Sequence, residues 1–192
     1  MNSYWVAGAA LLVEQYFEDG FFNNHKIKTN NNLIRASLVN SAQKLFNETR
    51  STKTNEPDCI QGHGMVTLEN VMEFDDSNFH LMIGNSSIEF QNLFTHFDID
   101  TDLESNKQDI KITVAYLDQA KEDYSYPIAS DLNIYLVSPS GKVYYGNNYP
   151  DLRQEHFSTI EKIIVPSNEV ENGQYTLHVV ALSSSEYFFS PR

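Results

Sequence analysis

The stretch SDLNIYLVSPSGKVYYGNN, residues 130–148, has the pattern of a β-strand, a tight turn and a second β-strand. Its two arms are rich in β-branched and aromatic residues, which favour the pleated, half-buried surface of a sheet. Between the arms, the tetrad Ser138-Pro139-Ser140-Gly141 places proline and glycine where a β-turn favours them. This stretch therefore predicts a strand–turn–strand unit.

Similar short runs lie before and after this stretch. From about residue 79 onward, apolar residues recur at every second position, as in a β-strand. The runs are DIKITVAYL (109–117), STIEKIIV (158–165) and GQYTLHVVAL (173–182), with VENGQY as another turn signal. No helix-length pattern separates these runs, so parallel β-α-β units are not expected. The pattern favours an antiparallel β-sandwich of the jelly-roll kind over residues 78–192.

The first part of the chain has a helical period instead. Residues 4–19 and 31–46 predict helices, and the second has an apolar stripe of Leu33, Ile34, Ser37, Leu38, Ser41, Ala42 and Leu45. The segment GHGMVTLENVM (62–72) predicts a tight passage allowed by two glycines, then a short helix ending near Met72. The fold class is therefore α+β, with a helical part over 1–77 and the sandwich over 78–192.

The opening segment MNSYWVAGAALLVEQYFEDG predicts an unusually apolar helix. Asn2 or Ser3 can cap it and Gly20 ends it, with a stripe of Val6, Ala9, Ala10, Val13, Tyr16 and Phe17 between them. We do not expect a signal peptide, because the segment shows no basic region before its apolar run and Glu14 interrupts that run. We also expect no membrane span, because the run is too short. We expect this helix inside a larger body, with another backbone close to the small residues 7–10.

Composition excludes several classes of partner. The formal net charge of −13 argues against nucleic acid and anionic lipid, since both need clustered Lys and Arg. A single cysteine, Cys59, excludes an internal disulfide framework and a Cys-rich zinc site. The triplets at Asn47 and Asn85 match the N-glycosylation pattern, which matters only in a secreted or lumenal protein.

Four motifs together resemble the subtilisin-like serine peptidases. The opening MNSYWVAGAALL is similar to the segment that follows their nucleophilic serine, with Met1 at the family methionine and Val6-Ala7-Gly8 matching outright. NNNLIRASLVNSA and GHGMVTLENVM resemble the next two family segments, and 130–148 resembles a segment of the C-terminal sandwich found in one branch. The motifs occur in the family's order and spacing. Tyr4 stands where the family has proline, and Gly62-His63-Gly64 stands where relatives often have Gly-Trp-Gly.

The resemblance implies a function for a longer enzyme. In the family a Ser-His-Asp triad hydrolyses peptide bonds in protein or peptide substrates, and the serine sits at the start of the buried helix. The serine would precede Met1, and the histidine, aspartate and oxyanion-hole asparagine come from earlier segments. We therefore expect no catalytic residues in this chain and no activity from it alone. The resemblance and the two glycosylation triplets favour a secreted or lumenal location.

Other functions stay open at this point. A degenerate paralogue would keep the sandwich as a non-catalytic binding or regulatory module. A secreted adhesion or carbohydrate-binding sandwich would leave the helical motifs unexplained. An improvised hydrolytic set would need Ser3 to meet His25 or His63, and nothing in the spacing supports that.

Calcium is the one ion that the sequence suggests. FDIDTDLES places Asp98, Asp100 and Asp102 at alternate positions, as in the first half of a calcium loop, but Leu103 and Asp109 stand where such a loop has Gly and Glu. An acidic loop between strands is the simpler interpretation. Alternation places Asp131 and Asn133 on one strand face, where we expect structural hydrogen bonds rather than metal ligands.

Two further expectations concern packing. The tyrosines of KVYYGNNYPDL (142–152) are either a ligand platform or ordinary strand packing. Because the sheet that would cover the first helix is missing, we expect residues 1–77 to be poorly packed or prone to associate. Residues 78–192 should fold independently.

Overall fold

The computed structural model describes residues 3–45, 57, 61–88, 94–101, 108–118, 128–148 and 158–182. The chain divides into two compact units, Met1–Gly84 and Asn85–Arg192. The described residues of the first unit are helical or irregular, and those of the second form antiparallel sheets. The chain is therefore of the α+β class.

Two helices form the framework of the first unit. Helix α1 spans Ser3–Glu18 and α2 spans Asn31–Ser41. Asn30 caps α2, because its side-chain oxygen accepts a hydrogen bond from the backbone N–H of Leu33 at 2.9 Å. A short 3₁₀ helix, Leu68–Asn70, lies where the sequence predicts one near Met72.

Helix α2 ends five residues earlier than the predicted 46. Ala42 has an extended backbone, and Gln43 then exchanges two backbone hydrogen bonds of 2.8 Å with Met65. This bridge takes the chain out of the helix and leaves Leu45 exposed, although the sequence pattern places Leu45 in the buried stripe. A non-local pairing thus overrides the helical period.

The bridge also explains the glycines of GHGMVTLENVM. Gly62 and Gly64 both have positive φ, 61° and 106°, a conformation that other residues adopt at a cost. A Cβ atom on Gly64 would overlap the backbone carbonyl of Gln43. The predicted tight passage at these glycines is confirmed.

An aromatic cluster forms the core of the first unit. Tyr16 and Phe17 are 1% exposed and their rings meet edge to face at 5.0 Å. The Tyr16 hydroxyl donates a 2.7 Å hydrogen bond to the backbone carbonyl of Glu73, which joins α1 to the segment after the 3₁₀ helix. The other buried members of this cluster are Val13, Phe22, Val71 and Leu81.

The second unit contains six strands within the described residues. They are β1 (Phe94–Thr101), β2 (Ile110–Ala115), β3 (Asp131–Val137), β4 (Val143–Tyr145), β5 (Ile160–Val165) and β6 (Gly173–Leu182). The sequence predicts β2 to β6 to within a few residues. It does not predict strand β1, because the acidic sequence FDIDT favours a loop.

These strands form two antiparallel sheets. One has the order β1-β6-β3-β4 and the other pairs β2 with β5. Strand β3 forms its hairpin with β4 through Ser138–Gly141, as predicted, and also pairs with β6 in the centre of the larger sheet. The antiparallel arrangement is confirmed.

One apolar core joins the two sheets. Ile134 and Leu136 from β3 are fully buried, as are Ile163 and Val165 from β5. Tyr175, Leu177 and Val179 extend this core along β6, and Tyr144 of β4 packs against it. Because successive side chains of a strand point to opposite faces, the residues between these core positions on β3 and β6 lie on the outer face of the larger sheet.

The turn between β3 and β4 is held by a carboxylate from a distant segment. Glu171 accepts hydrogen bonds from the backbone N–H of Ser140 at 2.9 Å and from the Ser140 hydroxyl at 2.7 Å. The Ser140 bond lowers the pKa of Glu171, since it stabilises the ionised form. The turn is therefore tied to the segment that leads into β6.

A second polar lock follows β4. Asn147 is fully buried with φ of 51°; its Nδ2 donates to Glu161 Oε1 at 3.0 Å, and its Oδ1 accepts from the Lys162 N–H at 3.1 Å. A Cβ atom on Gly146 would overlap the Glu161 carboxylate. Gly146 thus fits against β5 because it has no side chain. Asn147 fits there because it adopts a positive φ and hydrogen-bonds to Glu161 and Lys162.

We predict that Asn147→Ala destabilises the second unit by about 2–3 kcal/mol, because it loses buried hydrogen bonds and strains a left-handed backbone. Asn147→Gly removes the same bonds but accepts the positive φ, so it should cost about 1 kcal/mol less. Urea unfolding followed by circular dichroism measures both variants. Equal stabilities for the two variants and the parent chain would contradict this account.

Candidate functional site

The start of α1 is the first surface that the sequence singles out. Every residue from Ser3 to Gly8 is exposed, with Tyr4 83% and Trp5 82% accessible. The described residues of this chain therefore leave these first turns uncovered, while Val13, Tyr16 and Phe17 toward the other end of the helix are buried.

The small-residue face of α1 is open at Gly8 within the described part of the chain. A Cβ atom on Gly8 would meet no described atom within 4 Å. The described residues therefore bring no backbone close to this glycine, although the neighbouring Ala9 is buried.

The described residues do not place a histidine against Ser3. Ser3 and His25 are both exposed, one at the start of α1 and the other in the loop after it. Within the described residues, no hydrogen bond joins the Ser3 hydroxyl to an imidazole, so a nucleophile–base pair is not assembled.

The acidic segment after residue 93 is a strand where it is described. Asp98 and Asp100 lie on the outer face of β1, and Asp98 Oδ1 accepts a 3.0 Å hydrogen bond from the Thr176 hydroxyl of β6. The interpretation as a loop is wrong for these two residues, because cross-strand pairing with β6 extends their backbone. Asp102 lies outside the described residues. No group of three His, Cys, Asp or Glu residues in the described ranges is arranged to hold a metal ion.

Two other candidates are structural. Asn133 Nδ2 donates a 2.9 Å hydrogen bond to Asp131 Oδ1, which confirms the expected pairing on one face of β3. Of the tyrosines in 142–152, Tyr144 packs against the core and Tyr145 lies on the outer face of β4, while Tyr149 is outside the described residues. Because Tyr144 faces inward, the tyrosines of this hairpin do not form one platform.

The feature that sequence reasoning missed is a row of rings across the larger sheet. We call His96, His178, Tyr135 and Tyr145 the outer-face row, one residue from each of β1, β6, β3 and β4. The strand register places each directly opposite the next: His96 opposite His178, His178 opposite Tyr135, and Tyr135 opposite Tyr145. The row therefore crosses the whole sheet in a single register.

One neighbouring pair of the row is stacked, and the other two pairs are tilted. His178 and Tyr135 are nearly parallel, with centroids 4.4 Å apart and planes at 15°. Phe94, beside His96 on β1, stacks on His178 from the neighbouring strand at 5.3 Å. The imidazole of His178 is therefore stacked against rings from both flanking strands.

The electrostatics of the row centre on His178. Burial lowers the pKa of this imidazole, the neighbouring His96 lowers it further, and Asp98 opposes both effects. The neutral imidazole therefore prevails at pH 7. Its Nδ1 is buried and has no hydrogen-bond partner among the described atoms.

The sequence signal for this row is the alternation of inward-facing and outward-facing positions in THFDID and TLHVV. Once the core residues Phe97 and Leu177 are assigned inward, His96 and His178 must face outward. Their proximity depends on the β1–β6 register, which links residues far apart in the sequence, and neither segment specifies that register.

The membrane and glycosylation features of the sequence do not involve the outer-face row. Within the described residues, no helix has the length and apolarity needed to cross a membrane. Asn85 is exposed at the boundary between the two units, and Asn47 lies outside the described residues.

Comparison with known proteins returns no assignment. No protein-family model matches the chain, and no curated protein has a significantly similar sequence. The resemblance to subtilisin-like peptidases stays a prediction from the quoted motifs.

We predict that Tyr135→Ala destabilises the second unit by about 1–2 kcal/mol, since it removes the ring that packs between His178 and Tyr145. Tyr135→Phe keeps that ring and should change stability by less than about 0.5 kcal/mol. Urea unfolding of both full-length variants tests this. A Phe variant as unstable as the Ala variant would show that the hydroxyl, and not stacking, is what matters.

Proposed function

We propose that this chain is the C-terminal part of a subtilisin-like serine endopeptidase, comprising the last segment of the catalytic domain and a jelly-roll-like sandwich. The four motifs in family order motivate the proposal. In this assignment α1 is the helix that follows the nucleophilic serine, and a larger α/β body covers its exposed side. The reaction is peptide-bond hydrolysis by acyl transfer, with the nucleophile and its base supplied by polypeptide outside this chain.

The exposed apolar side of α1 carries the proposal. Tyr4, Trp5 and Leu11 are 83%, 82% and 65% exposed, whereas Val13, Tyr16 and Phe17 toward the far end of the same helix are buried. Burying one large apolar side chain contributes about 1.5–3 kcal/mol, and a whole domain is stable by only about 5–15 kcal/mol. Covering this surface would therefore contribute substantially to the stability of a complete enzyme.

The role assigned to α1 follows from the electrostatics of helix ends. The first N–H groups of a helix have no partner within it, and its N-terminus carries partial positive charge. A serine placed just before Met1 would have its developing oxyanion near these groups. In the proposed enzyme this chain thus positions the nucleophile and helps to stabilise the tetrahedral intermediate.

Labelling of the native protein tests the proposal. An antibody against the second unit recovers the polypeptide from its source cells or their medium, and a fluorophosphonate probe then reports a reactive serine. We expect a labelled species larger than the 22.0 kDa of this chain, with labelling blocked by prior sulfonyl fluoride treatment. The recombinant 192-residue chain is the matched control and should not react.

The contrary result is equally specific. A native species of 22.0 kDa that the probe does not label would favour the non-catalytic paralogue, in which the sandwich acts as a binding or regulatory module. The in-frame codons before Met1 give an independent check. Gly-Thr-Ser there supports the enzyme, and a stop codon favours the paralogue.

Self-association tests the apolar surface itself. We predict that the isolated 192-residue chain associates at micromolar concentration and that the double variant Tyr4→Ser, Trp5→Ser stays monomeric in analytical ultracentrifugation. Leu117→Ser, which removes a side chain that is 68% exposed in the second unit, should leave association unchanged. A parent chain that is monomeric throughout would contradict the prediction.

A further inference from the structure

We propose that His96 and His178 bind a divalent transition-metal ion of the zinc, nickel or copper class on the outer face of the larger sheet. The two residues are directly opposite each other on neighbouring antiparallel strands, and their side chains leave the same face. Their ring centroids are 6.4 Å apart, with the planes at 36°. This proposal goes beyond the protease assignment and does not depend on it.

The two rings are slightly farther apart than a shared ion requires. Imidazole nitrogens bind zinc at about 2.0–2.1 Å, so two such bonds at a tetrahedral angle place the ring centroids roughly 5 Å apart. In this proposal His96, on the edge strand β1, therefore turns toward His178 when the ion binds. Neutral imidazole is a ligand that zinc, nickel and copper all accept, whereas calcium and magnesium prefer oxygen. The ligand type therefore selects a transition metal rather than the calcium that the acidic segment suggests.

The unpartnered nitrogen of His178 points independently to a ligand. Its Nδ1 is buried and makes no hydrogen bond within the described part of the chain. Buried polar atoms in folded proteins are almost always bonded to protein, water or a ligand. An ion coordinated by this nitrogen and by a nitrogen of His96 would satisfy it.

The row also fixes one ligand in advance. Tyr135 and Phe94 stack on His178 from the two flanking strands, which limits rotation of the imidazole. An already ordered side chain loses less conformational entropy when it binds. Asp98, next on the outer face of β1, adds negative charge beside the pair while its carboxylate is bonded to Thr176.

Water completes the coordination in this proposal. The described residues contain no third His, Cys, Asp or Glu placed to join the pair. A site with two protein ligands keeps open positions, as catalytic zinc sites do, and it binds more weakly than a closed structural site. The expected behaviour is therefore reversible, exchangeable binding.

Calorimetric titration of the full chain with zinc chloride and nickel chloride near neutral pH tests the proposal. Cys59→Ser is the background, so that the thiol does not compete for the ion. We expect saturable binding, with affinity lowered about tenfold or more by His96→Gln or His178→Gln. His25→Gln, which changes an exposed imidazole in the other unit, is the matched control and should bind as the parent does.

A second measurement keeps the test decisive if the His178 variant folds poorly. His96 lies on the edge strand β1, so His96→Gln should leave the thermal unfolding curve unchanged while it weakens binding. In NMR spectra of the parent chain, Cu²⁺ should broaden the ring signals of His96 and His178 before those of His25. No saturable binding below about 1 mM metal, or equal loss in His25→Gln, would overturn the proposal.

Discussion

The burial of Ile134 and Leu136 on one face of β3 is the constraint on which the second unit depends. Both side chains are fully buried, so the intervening Tyr135 must leave the opposite face. Because β3 pairs with both β4 and β6, the same constraint places Tyr145 and His178 beside Tyr135. Core packing on the inner face thus determines the arrangement of rings on the outer face.

Polar groups keep this arrangement in register. Glu171 holds the turn between β3 and β4, and Asn147 holds the segment after β4 against β5. The Tyr116 hydroxyl, after β2, donates to the carbonyls of Ser130 and Ser158, and burial raises the pKa of this phenol to about 12. A shift of one residue in any of these strands would break these bonds and turn apolar side chains outward.

The first unit differs from the second in that part of its apolar surface is exposed. Its described core is built around Tyr16, Phe17 and Phe22, yet the helix that supplies Tyr16 begins with exposed turns that include Tyr4, Trp5 and Val6. The described residues that follow α1 in the sequence therefore bury only part of its apolar surface. The surface that supports the protease proposal lies on α1, and the proposed metal site lies on the larger sheet, so the two proposals can be tested independently.

Local pattern was enough to predict α1, strands β2 to β6, the Ser138–Gly141 turn and the positive-φ passage at Gly62 and Gly64. In each case the signal lies within a few consecutive residues. The end of α2, the strand at Phe94–Thr101 and the pairing of His96 with His178 were decided only by tertiary structure. These features depend on hydrogen-bonded partners in distant segments, such as Met65 for Gln43 and Val180 for Phe94, and the local period of a segment does not specify its distant partner.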